Sequence, residues 1–266
     1  MPLPMPSPIA DYWRREEPLG LFLDYDGTLT PIVPRPDQAF LPPAGVELLR
    51  RLCRHPQLRV AIISGRSVPQ LQDFLAELLP ENLVLCGLHG GEIYRTQTGE
   101  FLRQPDREGI QRALAPLRSD IQELLQRQGL LAQGVHIEDK TYSFAVHYRQ
   151  AAPLVKEKVV ALVHRYFAEH LTMCQRFKLQ PGKEVLEVLP ATFDKGQGVA
   201  FLWETWGLRQ GCYIGDDLTD EAAFAVVNQR GGLSIAVGKA PGTTQARLTC
   251  PDVGGVYREL AALLES

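Results

Sequence analysis

Short apolar runs that end in small or polar residues recur toward both ends of the chain. They are Leu19–Leu23, Arg59–Ile63, Leu83–Leu88, Cys212–Ile214 and Leu233–Val237. Apolar residues at helical spacing lie between or after these runs, within residues 46–52, 68–79 and 199–206. Because strands that alternate with helices form parallel sheets, this pattern predicts an α/β fold with helices on both faces of the sheet.

The middle of the chain has a different pattern. Amphipathic helices are predicted over Asp106–Gln128 and from Pro153 to about His170. Strand-like stretches follow the helices in pairs: Val135–Asp139 with Tyr142–Arg149, then Thr172–Leu179 with Glu184–Leu189 around a turn at Pro181-Gly182. This order, a helix and two strands repeated twice, predicts a small sheet with helices on one face. We therefore expect residues 105–189 to be a domain inserted into a core of residues 1–104 and 190–266.

Composition and charge narrow the class of protein. With 45% hydrophobic and 22% charged residues among 266, the chain has a globular composition. A net charge of -3 without any Lys/Arg-rich run predicts that nucleic acid is not a partner. The five cysteines are scattered without a Cys-x-x-Cys pair, so neither a disulfide framework nor a zinc site is indicated. Without a secretory signal or a run of membrane-spanning length, the sequence predicts a cytoplasmic protein with no membrane partner.

The first apolar run ends in two aspartates, Asp24 and Asp26, which Gly27 and Thr28 follow. Open α/β sheets bind their ligands at the carboxyl ends of the strands, which is where these carboxylates are predicted to lie. Two ionised carboxylates held this close repel each other unless a cation joins them or one takes a proton. The alternative is that two solvated aspartates cap an ordinary turn.

Three later segments favour the chemical interpretation, because each follows a predicted strand or begins a helix near one. They are Ser64-Gly65-Arg66, Lys195 and Gly215–Asp220. The last segment adds three carboxylates, which with the first two can form an oxygen cage suited to Mg²⁺. Lys195 and Ser64 can hold phosphate oxygens. Taken singly, the same segments can be a solvated lysine, a strand-to-helix turn and acidic residues at a helix start.

The ordered motifs DxDGT, SGR, K and GDDxxD resemble those of the haloacid dehalogenase (HAD) superfamily of phosphohydrolases. The strings LDYDGTL, IISGR, HYR, GK, EV and GDDLTDE look like the trehalose-6-phosphate phosphatase branch of that superfamily, over Leu19 to Gly238. The resemblance implies a HAD-like Rossmannoid parallel-sheet core with an inserted α/β cap domain. It also implies a phosphoric monoester hydrolase with a phosphosugar substrate.

The resemblance further implies catalytic roles. Asp24 would attack phosphorus and form an aspartyl-phosphate. Asp26 would protonate the leaving sugar oxygen and then activate water. Lys195 would neutralise charge on Asp24 and on the phosphoryl group, whose oxygens Ser64, Gly65 and Arg66 would bind.

A Mg²⁺ cofactor is part of the same implication. Its ligands would be Asp24, the main-chain carbonyl of Asp26, and Asp216. Asp217 and Asp220 would bind the ion or support its ligands.

Specificity is expected from the inserted domain. In the branch that the sequence resembles, acidic and basic residues of this domain contact the glucose units, and these correspond here to Glu138, Lys140, Lys183 and Glu187. Carboxylates and amines are good hydrogen-bond partners for sugar hydroxyls. The alternative is a solvated sheet face with cross-strand ion pairs.

Other functions remain open at this point. The substrate can instead be mannosyl-3-phosphoglycerate or sucrose phosphate, with the same chemistry. A phosphomutase shares the aspartyl nucleophile but needs an activating bisphosphate. A phosphosugar sensor has no need of Asp24 and Asp26. The trehalose interpretation also implies a functional link to a trehalose-phosphate synthase.

Overall fold

The structure, a computed structural model, describes residues 7–33, 35–170, 175–182, 184–238 and 243–265. The chain divides into two compact units. One, here the core unit, combines the residues up to Gln104 with those from Asp194 onward, and the other, the inserted unit, is Pro105–Phe193.

Twelve strands lie in the described part of the chain. They are β1 (Leu19–Asp24), β2 (Leu58–Ile63), β3 (Leu83–Gly87), β4 (Glu92–Arg95), β5 (Glu100–Arg103), β6 (His136–Asp139), β7 (Phe144–His147), β8 (Phe177–Gly182), β9 (Val185–Pro190), β10 (Gln210–Gly215), β11 (Leu233–Val237) and β12 (Leu248–Cys250). The helices are α1 (Pro8–Tyr12), α2 (Pro43–Arg54), α3 (Val68–Phe74), α4 (Arg107–Arg127), α5 (Pro153–Glu169), α6 (Lys195–Thr205), α7 (Glu221–Gln229) and α8 (Val253–Glu265).

The core unit contains a sheet of eight strands in the order β12-β11-β10-β1-β2-β3-β4-β5. Neighbours from β12 to β3 are parallel, whereas β4 and β5 extend the sheet as antiparallel strands. The predicted α/β fold is confirmed, whereas β4, β5 and β12 were not predicted from the sequence. The chain leaves this sheet after β5 at one edge and, after the inserted unit and α6, returns to it at β10, so β1 lies between β10 and β2.

Each face of this sheet is covered by helices. Leu19, Leu21 and Leu23 point to the face that packs against α1, α2, α3 and α8. Phe22 points to the opposite face, against residues of α6 and α7. Because side chains alternate along a strand, Asp24 continues the face of Phe22 and is directed toward α6.

The inserted unit is an antiparallel sheet in the order β6-β7-β9-β8, with α4 and α5 packed on one face. The turn predicted at Pro181-Gly182 is wrong. Both residues belong to β8, paired with Leu186 and Val185, and the chain turns at Glu184, which has a φ of 64°. Because β8 is an edge strand, it tolerates a proline that cannot donate a ladder hydrogen bond. Residues 172–174 of the strand predicted to begin at Thr172 lie outside the described residues, and β8 begins at Phe177.

Candidate active site

The site is built around Asp24, the last residue of β1, which is 4% exposed. The first residue of α6 is Lys195, which is 3% exposed. Its Nζ donates a hydrogen bond to Oδ1 of Asp24 at 2.7 Å. The strand end and the helix start therefore hold a buried carboxylate and a buried ammonium in direct contact.

Lys195 bridges two carboxylates, since its Nζ also donates to Oδ1 of Asp220 at 2.7 Å. Asp220 is fully buried and accepts further hydrogen bonds from Oη of Tyr213 at 2.5 Å and from the main-chain amide of Asp217 at 2.9 Å. Burial by itself would lower the pKa of Lys195, but the charges of Asp220 and Asp24 outweigh it and raise that pKa above its ordinary value. Lys195 is therefore an ammonium ion at neutral pH.

Asp216, directly after β10, completes the cluster. Asp24, Asp216 and Asp220 each contribute one carboxylate oxygen to a group whose members lie within 4.8 Å of one another. Burial, reinforced by Asp220, raises the pKa of Asp216 to about 6. Burial also raises the pKa of Asp24 well above its ordinary value, against the opposing effect of Lys195.

The cluster fits a metal ion on its donor chemistry. Three carboxylates face one ammonium, so Lys195 can offset only one of the three negative charges. A divalent cation supplies the missing positive charge, and an all-oxygen donor set suits a hard cation. The residues that can hold such an ion are therefore Asp24, Asp216 and Asp220.

The other two aspartates of the predicted cage have different partners. Both carboxylate oxygens of Asp26 accept hydrogen bonds from Arg66, at 2.6 and 2.7 Å. Oδ1 of Asp217 accepts one from the main-chain amide of Leu218 at 2.6 Å. The structure thus groups three of the five predicted carboxylates and pairs the other two with different partners.

The predicted phosphate-binding segment, Ser64-Gly65-Arg66, follows β2 directly. Ser64 is 2% exposed and its Oγ accepts a hydrogen bond from the main-chain amide of Arg66 at 3.1 Å. The guanidinium of Arg66 lies over the ring of Phe74, 4.4 Å from its centroid. Because β1 and β2 are adjacent and parallel, Ser64 and Asp24 lie at the same end of the sheet.

The inserted unit carries three of the predicted sugar-contacting residues on one sheet face. Glu138 and Glu187 are both paired with Ala145, one on each side of β7. Lys140 donates from Nζ to Oε1 of Glu187 at 3.2 Å, and Ser143 donates from Oγ to the same oxygen at 2.5 Å. Lys183 lies outside the described residues.

Several partners in these clusters were missed from sequence. Tyr213 bonds to Asp220, and Oγ1 of Thr28 donates to Oδ1 of Asp216 at 3.5 Å. On the inserted unit, Nε2 of His147 lies 2.7 Å from Oε2 of Glu138. Tyr213 lies inside an apolar run, where the sequence offers no signal to separate a hydrogen-bonding tyrosine from a packing one.

The chain is similar to known phosphatases over most of its length. A family profile described as trehalose-phosphatase matches residues 22–250. The chain is 35% identical to a trehalose-6-phosphate phosphatase of Escherichia coli (strain K12), covering 95% of this chain and 89% of that protein. It is 32% identical to trehalose-phosphate phosphatase B of Arabidopsis thaliana, covering 92% of this chain and 66% of that protein.

Solved structures share the fold. A trehalose-6-phosphate phosphatase of Aspergillus fumigatus superposes with a TM-score of 0.71 at 26% identity, covering 94% of each chain. A haloacid dehalogenase-like hydrolase of Bacteroides thetaiotaomicron superposes with a TM-score of 0.66 at 16% identity, over 93% of this chain and 100% of that one. The second likeness concerns the fold alone, which is HAD-like. Among the described residues, every helix is too short or too polar to cross a bilayer. With a profile match over most of its length and a bacterial relative above 30% identity, the chain belongs to the trehalose-phosphatase family.

Proposed function

We propose that this protein hydrolyses trehalose 6-phosphate to trehalose and inorganic phosphate, with Asp24 as the phosphate acceptor. Membership of the trehalose-phosphatase family supports the reaction class. The single observation that carries the assignment is the buried contact of Asp24 with Lys195, beside Asp216 and Asp220. A carboxylate that is held by an ammonium at a strand end is fixed in position for attack on phosphorus.

The first chemical step forms a bond between an Asp24 carboxylate oxygen and phosphorus while the bond from phosphorus to the sugar oxygen breaks. Lys195 neutralises the negative charge of Asp24 and of the approaching phosphoryl group. Ser64 and the Arg66 guanidinium bind the remaining phosphoryl oxygens. Phosphoryl transfer depends mainly on positioning and charge stabilisation, which is what these side chains supply.

Asp26 moves the protons in both halves of the reaction. It donates a proton to the departing sugar oxygen, so trehalose leaves as a neutral alcohol. It then accepts a proton from the water that attacks phosphorus, and Asp24 departs with its own oxygen. For the first of these steps, Asp26 must leave its two hydrogen bonds with Arg66.

We propose that the cation held by the acidic cluster is Mg²⁺. Asp24, Asp216 and the main-chain carbonyl of Asp26 are its proposed ligands, with Asp217 and Asp220 in direct or supporting positions. When bound, the ion offsets the charge of the carboxylates and of the phosphoryl group. Lys195 keeps Asp220 paired and holds Asp24 in one orientation.

The inserted unit is proposed to be the cap that binds the sugar part of the substrate. The carboxylates of Glu138 and Glu187 flank Ala145 on one face, and Lys140 contacts Glu187. These groups offer acceptors and donors to several sugar hydroxyls at once. Lys183 is proposed to contribute in the same way.

We also propose partners and a cellular location. The substrate is a small phosphosugar, and the enzyme class that supplies it is a trehalose-phosphate synthase, to which we propose a functional link. Neither nucleic acid nor a membrane is part of the proposal. The four described cysteines, Cys53, Cys86, Cys212 and Cys250, are buried free thiols, which supports a reducing, cytoplasmic location.

Phosphate release from a panel of sugar phosphates tests the proposal. The panel contains trehalose 6-phosphate, sucrose phosphate, mannosyl-3-phosphoglycerate and glucose 6-phosphate, each with Mg²⁺ and after chelation. We expect trehalose 6-phosphate to give the highest kcat/KM, and only with Mg²⁺. Preference for another member of the panel would reassign the substrate. Transfer of phosphate back to sugar, dependent on a bisphosphate activator, would indicate a phosphomutase instead.

A further inference from the structure

A buried glutamate outside the acidic cluster contacts the segment that is proposed to bind phosphate. Glu92, the first residue of β4, is 4% exposed. Its Oε2 accepts a hydrogen bond from the main-chain amide of Val68 at 2.7 Å. Val68 begins α3 two residues after Arg66. One carboxylate thus fixes the downstream end of Ser64-Gly65-Arg66, although Glu92 itself lies in the hairpin of β3 and β4.

The turn that leads into Glu92 fixes the rest of that segment. The main-chain amide of Leu88 donates to the carbonyl of Arg66 at 2.8 Å, and that of His89 donates to the carbonyl of Ser64 at 2.9 Å. Leu88, His89 and Gly90 have φ values of 50°, 52° and 97°, so three successive residues are left-handed. This conformation is costly for residues other than glycine and is retained where surrounding contacts enforce it.

The same turn also contacts the start of α6. A Cβ on Gly90 would lie 2.5 Å from the carbonyl oxygen of Asp194, the residue before Lys195. A Cβ on Gly65 would lie 2.7 Å from the imidazole of His89. The turn between β3 and β4 is therefore packed against the phosphate segment on one side and against the main chain just before Lys195 on the other.

We propose that Glu92 is a positioning residue that, through the Val68 amide and the turn Leu88–Gly90, sets the phosphate segment relative to Lys195. The inference rests on the proposed function of Ser64-Gly65-Arg66 as a phosphate-binding segment. Glu92 touches neither Asp24 nor the other carboxylates of the acidic cluster in the described contacts. Its role is indirect: it holds the main chain that presents Ser64 and Arg66.

Three variants of Glu92 separate positioning from simple stability. Glu92→Ala removes the acceptor of the Val68 amide, and Glu92→Asp keeps the charge on a side chain that is one methylene shorter. Glu92→Gln keeps an acceptor oxygen at nearly the same place. The matched control is Glu81→Ala, because Glu81 is also buried, at 8% exposure, and pairs with Arg54 away from the site.

Binding of inorganic phosphate, measured by calorimetry on the whole protein with Mg²⁺, is the primary readout. We expect Glu92→Ala to weaken phosphate binding about tenfold and to lower kcat/KM by a similar or larger factor, because displacement of binding groups by a fraction of an ångström is costly. Glu92→Asp should fall between that variant and wild type, and Glu92→Gln should bind within about twofold of wild type, since the hydrogen bond is retained. Glu81→Ala should lose thermal stability and keep its phosphate affinity.

Equal weakening of phosphate binding in Glu81→Ala and Glu92→Ala would overturn the proposal, as would unchanged affinity in folded Glu92→Ala or Glu92→Asp. A wild-type protein without phosphate affinity would overturn it too. The readout is independent of the substrate assignment. A wild-type protein that binds phosphate but cleaves no trehalose 6-phosphate would contradict the proposed function and leave the Glu92 comparison decisive.

Discussion

Arg66 holds Asp26 by a two-pronged ion pair, with Nε 2.7 Å from Oδ2 and Nη2 2.6 Å from Oδ1. The arginine side chain is only 12% exposed and its guanidinium lies over the ring of Phe74. Two parallel hydrogen bonds between a guanidinium and a carboxylate are strong and fix both groups. In the proposed reaction both residues have other tasks, phosphate binding for Arg66 and proton transfer for Asp26. The pair must therefore exchange partners when a phosphorylated substrate binds.

Removal of the arginine tests this exchange. Arg66→Ala loses a proposed phosphate ligand and releases Asp26, so we expect kcat/KM for trehalose 6-phosphate to fall about 100-fold or more. Arg66→Lys keeps the charge but cannot form both hydrogen bonds, and it should recover part of the loss. Steady-state phosphate release measures the effect.

Arg54→Ala is the matched control for Arg66→Ala. Arg54 forms the same kind of fork with Glu81, at 2.9 and 2.6 Å, and it lies outside the acidic cluster. It should keep near wild-type kinetics. If both arginine variants lose activity equally, the effect is one of folding and the proposed role of Arg66 is wrong.

The acidic cluster makes stability depend on pH in a defined direction. Burial raises the pKa of Asp216 from 3.8 to about 6, and that of Asp24 moves the same way. Between these values the folded protein holds more protons than the unfolded chain, so the free energy of unfolding falls as pH rises from about 4 to 6. After allowance for partial exposure of Asp216, we expect a loss of about 1–2 kcal/mol in chelator-treated protein. Urea unfolding at a series of pH values measures it, and an increase over this range would contradict the expected direction.

Neutralising Asp216 should separate stability from activity. Asp216→Asn removes a repelling carboxylate from the buried cluster, so at pH 7 without divalent cations it should unfold at a higher temperature than wild type. With Mg²⁺ the order should reverse, because the variant loses a proposed ligand and therefore most of the stabilisation by the ion. Thermal unfolding with and without Mg²⁺ gives both results.

Asp217→Asn is the comparison for Asp216→Asn. Asp217 is the adjacent residue, but its carboxylate accepts a hydrogen bond from the Leu218 amide and is not one of the three carboxylates of the cluster. Asp217→Asn should keep a larger share than Asp216→Asn of the increase in unfolding temperature that Mg²⁺ causes. A larger loss in Asp217→Asn than in Asp216→Asn would mean that the cation binds elsewhere than in the three-carboxylate cluster.

Substitution of the proposed sugar-contacting residues should change the substrate range and not the chemistry. Glu187→Gln removes the charge that pairs with Lys140 and accepts from Ser143. We expect a loss of about 10- to 100-fold in kcat/KM for trehalose 6-phosphate, with turnover of a small aryl phosphate retained. The control is Glu123→Gln, which alters an ion-paired glutamate on α4 of the same unit. It should change neither the activity on trehalose 6-phosphate nor that on the aryl phosphate. If Glu187→Gln lowers activity equally on both substrates, Glu187 acts in folding or in the chemical step and not in sugar recognition.

The strands that position the site were predictable because they are short, continuously apolar and buried on both faces. β1 and β10 therefore placed Asp24 and Asp216 at strand ends before the sheet order was known. β4 and β5 mix charged and apolar residues at the edge of the sheet, so their periodicity gives no comparable signal. The Pro181-Gly182 pair is typical of a turn, but pairing along β9 keeps both residues in an edge strand.

Within the site, the sequence identified the chemical groups but not their pairing. The contact of Lys195 with Asp220 and that of Asp220 with Tyr213 join residues whose spacing along the chain has no local pattern. The same holds for Asp26 and Arg66, which meet only because β1 and β2 are adjacent. Such pairings depend on side-chain packing in the folded sheet, which no periodicity encodes.

Trapping the phosphorylated residue tests the central claim most directly. Rapid quenching during turnover of trehalose 6-phosphate, followed by borohydride reduction, converts an aspartyl-phosphate to homoserine, which peptide mass spectrometry locates. We predict homoserine at position 24 in the wild-type protein and none in Asp24→Asn, which should also release no phosphate. Modification of a different residue, or full turnover by Asp24→Asn, would contradict the assignment of Asp24 as the phosphate acceptor.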